Sequence, residues 1–168
     1  MNTLNIKLPY SYIIDYIDLD WHVLLFAVEN GFVAKESVLR YAEGQIETEA
    51  NPSQLLLDLA WEKDENSVYE YLIKLANLSS PEDEENLKEK FLFLLLNWIF
   101  ENREKYGDPL EMVEIIYADF DYPEEISGFV RYMPPQYPLH SSKPENVKQL
   151  YENWENFCEK KKKENKKS

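Results

Sequence analysis

The chain has 168 residues, 44% of them hydrophobic and 14% aromatic, with a net charge of −14. That length suits one domain with a buried core, and the aromatic share excludes a disordered chain, which has little to bury. The charge disfavours a nucleic-acid-binding body, because an acidic field repels phosphates and draws basic partners instead.

Helix signals follow in regular order. Asp20 is placed to cap a helix carrying Trp21, Leu24, Leu25 and Val28 at the i, i+3, i+4, i+7 spacing of one buried face, and Gly31 is placed to end it. A helix over about 34–48 puts Leu39, Ala42 and Ile46 on one side. Asn51-Pro52 then reads as a cap followed by proline at the first helical position, where the missing N–H costs no hydrogen bond. The helix it opens carries Leu55, Leu56 and Leu59, and another near 66–77 carries Val68, Tyr71, Leu72 and Leu75.

The same proline device recurs at Ser80-Pro81, Asp108-Pro109, Tyr122-Pro123 and Lys143-Pro144. Acids after Pro81 and Pro123 complement the positive end of a helix dipole, so helix capping explains part of the acidity. Residues 81–105 read as one long helix of about 37 Å at 1.5 Å per residue, stopped at Tyr106-Gly107. Its middle, FLFLLLNWIF at 91–100, is apolar nearly all round and reads as a central helix that the others cover. A membrane span needs about 20 such residues, so no span is expected.

The last helix, about 145–163, aligns Val147, Leu150, Tyr151, Trp154 and Cys158 on one stripe. Residues 160–168 hold six Lys and one Glu, which leaves 12 basic and 31 acidic side chains, a net of −19, on residues 1–159. The expected organisation is a single helical domain over 1–158 and a disordered Lys-rich tail over 159–168. No stretch alternates with period two for long enough to found a sheet. The expected fold is all-α, a compact bundle of seven to nine helices around the central apolar helix.

Chemistry is sparse. The single cysteine, Cys158, excludes an internal disulfide, and one Cys with two distant His cannot make a four-ligand zinc site. His22, in a packed helix, reads as structural; His140 lies in the loop MPPQYPLHSSKP without an evident partner. No hydrolase, kinase or phosphate-cradling motif is present, so neither catalytic residues nor cofactors are expected. Asp119 and Asp121, followed by Glu124 and Glu125, offer oxygen ligands for a hard cation, but the spacing is not that of an EF-hand. A metal-dependent enzyme using Asp119 and Asp121 stands as an alternative, as does a helical adaptor holding a peptide in a groove. The N-terminus lacks a basic and apolar leader, which makes a cytoplasmic protein the expectation.

The segment IIYADFDYPEEI at 115–126, followed by FVRYMPP at 129–135, resembles an uncharacterised family of bacterial proteins, a domain of unknown function of about this length. Trp21, Asn30-Gly31-Phe32, Tyr41-Ala42 and Trp154 fit the same likeness, which spans roughly residues 10–158. That family resembles the small acidic proteins that serve as immunity partners of bacterial polymorphic toxins. The resemblance implies a non-catalytic inhibitor that sets an acidic face against a basic toxin domain, through Asp119, Asp121, Tyr122, Glu124 and Glu125. Read from the residues alone, Tyr117, Phe120, Tyr122 and Ile126 can equally be core, with the two aspartates accepting backbone hydrogen bonds in a turn.

Overall fold

The computed structural model describes residues 1–133 and 143–165. Among them are eight α-helices and no strand: α1 Tyr10–Tyr16, α2 Trp21–Glu29, α3 Lys35–Thr48, α4 Gln54–Trp61, α5 Glu65–Ala76, α6 Glu84–Glu101, α7 Pro109–Asp119 and α8 Lys143–Glu164. Short 3-10 segments at Arg103–Lys105 and Glu124–Phe129 flank α7. The all-α class expected from the periodicity is the class observed.

The described chain forms two compact units. The N-terminal unit is Asn5–Leu87, and the C-terminal unit joins Met1–Leu4 to Lys88–Ser168, so the boundary falls inside α6.

In the N-terminal unit the apolar stripes meet as their spacing requires. Leu24 of α2, Val38 and Ala42 of α3, Leu56 and Leu59 of α4, and Val68, Leu72 and Leu75 of α5 form one buried cluster. Trp21, Leu25, Val28, Leu39, Ile46, Leu55 and Tyr71 pack against it. Asp20 caps α2 by accepting from the Val23 N–H at 2.8 Å. At the other end Gly31 takes φ 72°. Its N–H donates to the Val28 carbonyl and that of Phe32 to the Ala27 carbonyl, the paired bonds of a Schellman cap that glycine makes without steric cost.

In the C-terminal unit, residues 91–96 and Ile99 of α6 are all buried, as the apolar run requires, and the polar Asn97 is buried with them. Trp154 of α8, fully buried, donates its indole N–H to the Leu96 carbonyl at 3.1 Å. It stacks on Phe129 and Tyr151 and meets Phe100 edge-on with centroids 5.3 Å apart. Cys158, one helical turn further on, is buried as expected, whereas Val147, placed on the same stripe, is 42% exposed.

Several boundaries differ from the proline reading. The cap of α4 is Ser53, whose hydroxyl accepts from the Leu56 N–H at 3.1 Å, so Pro52 lies outside the helix. Asp83 serves α6 in the same way, its carboxylate accepting from the Glu85 N–H at 3.2 Å, three residues after the expected start at Ser80-Pro81. In both places a side-chain acceptor downstream of the proline claims the orphan N–H groups of the first turn. The end of α6 also comes early. The Asn102 side-chain amide joins its own backbone N–H on the Trp98 carbonyl, at 2.8 Å, and the Arg103 guanidinium donates to the Phe100 carbonyl at 2.8 Å, so side chains cap the last carbonyls of the helix.

Pro123 precedes a 3-10 segment rather than an α-helix, while Asp108-Pro109 opens α7 as expected. The expected tail from residue 159 is instead helical to Glu164. Lys161 holds it there through ion pairs to Glu125 at 2.7 Å and Glu164 at 3.2 Å. The last three residues and the loop with His140 lie outside the described residues.

Candidate functional site

The acidic, aromatic segment after α7 is built by the end of that helix. Asp108 caps α7 by accepting from the Glu111 N–H at 3.3 Å, and Pro109 supplies its first turn. The helix closes in a second Schellman cap: the Asp121 N–H donates to the Ala118 carbonyl at 3.2 Å and that of Tyr122 to the Tyr117 carbonyl at 2.8 Å. Here no glycine is available. Asp121 takes φ 65° and Tyr122 φ 59°, two consecutive left-handed residues with side chains. An aspartate tolerates that region; a tyrosine there is strained by about 1–3 kcal/mol and must be held by its surroundings. The hold on Tyr122 is the bond to Tyr117 and an edge-on ring contact with it, centroids 5.3 Å apart.

The five residues singled out in the sequence part into two kinds. Asp119 is a staple: its carboxylate accepts from the Thr3 N–H at 2.8 Å and the Thr3 hydroxyl at 2.5 Å, tying down Met1–Leu4. Glu125 is another, paired with Lys161 of α8. Asp121, Tyr122 and Glu124 are exposed, and no described residue pairs with either of those two carboxylates. Tyr122 keeps 59% of its surface in water. Tyr132, 58% exposed, also packs against Tyr117, with centroids 6.1 Å apart, and joins the same aromatic patch. It was missed as a site residue because nothing in its local spacing places it against Tyr117. Arg131, the adjacent cation, is already engaged by Glu114 at 2.9 Å and Asp108 at 3.1 Å. Those hydrogen bonds raise its pKa further, so its charge is fixed.

Both Asp119 oxygens accept from Thr3, whereas the Asp121 carboxylate has no described partner. Among the described residues no group of three or more His, Cys, Asp or Glu is placed to hold a metal ion. The His22 imidazole sits 3.3 Å from the Ser79 carbonyl, a structural contact. Burial pushes the Cys158 thiol up to about 12, the reverse of an activated nucleophile. In the N-terminal unit Val28, Val38, Val68 and Leu72 line a groove of about 240 Å³. No helix among the described residues is long and apolar enough to cross a membrane.

No curated protein and no solved structure matches the chain. A family match covers residues 10–162, nearly the whole chain and including the α7 cap and its aromatic patch. The chain therefore belongs to the DUF2247 family, described as uncharacterized protein conserved in bacteria.

Proposed function

We propose that this protein works by binding, and that it is an immunity-type inhibitor that masks the basic surface of a bacterial toxin domain without turnover of its own. The observation that carries the reading is Tyr122, an exposed aromatic held in a strained, pre-set backbone between two unneutralised carboxylates, Asp121 and Glu124. A rigid aromatic anchor loses little entropy on docking, and tyrosine is enriched among the residues that dominate interface energies. The carboxylates give the contact its sign. The net charge of −19 on residues 1–159 adds long-range attraction for a basic partner, which speeds encounter and suppresses wrong partners. Toxin domains that cleave nucleic acid present basic clefts, and an acidic surface can occupy them as their phosphate substrate would.

The test is growth rescue in a heterologous bacterium expressing the product of the gene immediately upstream, with and without this chain. Rescue is expected from the wild type. It should be lost, with affinity down about 30-fold or more, in the triple variant Asp121→Asn, Tyr122→Ala, Glu124→Gln. A neighbour that kills equally in both strains would overturn the immunity reading. Undiminished rescue by a folded triple variant would overturn the site.

A further inference from the structure

We infer that Trp61 anchors a second contact surface, on the N-terminal unit, that takes an arginine side chain of a basic protein partner. Trp61 is the last residue of α4 and is 80% exposed, whereas Trp154 is fully buried and Trp21 and Trp98 are partly buried. Helical geometry explains its position. Leu56 and Leu59 turn into the core, and at 100° per residue residue 61 lies about 140° around the helix from residue 56 and about 200° from residue 59. The largest apolar side chain of α4 thus adds almost nothing to the fold.

The chemistry around the indole selects its occupant. Asp58 lies one turn back on the same helical face, and Glu62, Asp64 and Glu65 follow directly. Local hydrogen bonds position three of these carboxylates without neutralising them. Asp58 accepts from Gln54 at 2.8 Å, Glu62 from the backbone N–H groups of Lys63 and Asp64, and Asp64 caps α5 through Ser67. Among the described residues none of the four is in an ion pair. Two cations share the loop, Lys63 itself and Lys35, which donates to the Lys63 carbonyl at 3.0 Å, so carboxylates remain in excess.

An exposed indole one helical turn from Asp58 and followed in sequence by Glu62, Asp64 and Glu65 suits a planar guanidinium, which can stack on the ring and donate to an acid. A second copy of this chain would bring another −14 against the first, and anionic lipid or nucleic acid is repelled for the same reason. The inference shares with the proposed function only the sign of the partner.

The experiment titrates the full chain with hexa-arginine and hexalysine peptides, read by tryptophan fluorescence and calorimetry, after light scattering has fixed the oligomeric state. The wild type should bind hexa-arginine about two- to fivefold tighter than hexalysine, the size of an exposed cation–π contact. Trp61→Ala, folded because the side chain is exposed, should abolish that preference, and Trp61→Phe should keep part of it. The triple variant at Asp121, Tyr122 and Glu124 should retain it. An unchanged preference in Trp61→Ala overturns the inference, as does a dimer that this substitution dissolves. Loss of the preference in the triple variant alone would assign the arginine to the α7 patch, sinking this inference while the proposed function stands.

Discussion

Asp119 carries two hydrogen bonds from Thr3 on a carboxylate for which sequence alone leaves a metal, a partner and a turn open. Two residues on, Asp121 bears a left-handed backbone and a carboxylate with no described partner. Their substitutions should therefore move stability in opposite directions. Asp119→Ala removes both bonds and should cost about 1–2 kcal/mol in urea unfolding. Asp121→Gly puts the residue best suited to φ 65° in place and should be neutral or stabilise by up to about 1 kcal/mol. Similar losses from both would mean that Asp121 also supports the fold. The residue types of the site were legible in the sequence, as a tight run of acids and aromatics. Their division of labour was not, because the partners that convert Asp119 and Glu125 into staples, Thr3 and Lys161, are remote in the chain.

Among the elements, helix existence followed from apolar spacing and helix starts did not always follow from proline. The stripe from Trp21 to Val28 and that from Val68 to Leu75 pack where their periods put them, because burying a stripe dominates other contributions to a helix in water. A start depends on smaller terms. Asn51-Pro52 and Ser53 compete as caps within three residues, and Ser53 wins by bonding the Leu56 N–H. Accordingly Ser53→Ala should destabilise the protein by about 1 kcal/mol, while Pro52→Ala should stay within about 0.5 kcal/mol. The reverse order in thermal or urea unfolding would restore proline as the true helix start. The seven-residue α1 went unread for a related reason. It is two turns long with Pro9 at its cap and no side-chain cap bond, so its signal is carried by tertiary burial of Tyr12 and Ile13.

At the scale of the molecule the two units each bury a core, and the chain carries a net charge of −14. Length, all-α class and charge were legible at once, since each follows from composition and period. The strained cap that presents Tyr122 was not, because a left-handed tyrosine leaves no mark in a sequence. The central claim is stoichiometric binding of a basic protein through that acidic surface. Calorimetric titration of the purified toxin domain encoded upstream into this chain, at about 50 mM and then about 500 mM salt, tests it most directly, since screening shortens the reach of exposed charges over that range. The expected result is a 1:1 complex whose affinity falls at least about tenfold at the higher salt. Absence of binding at low salt, or an affinity indifferent to salt, would contradict it.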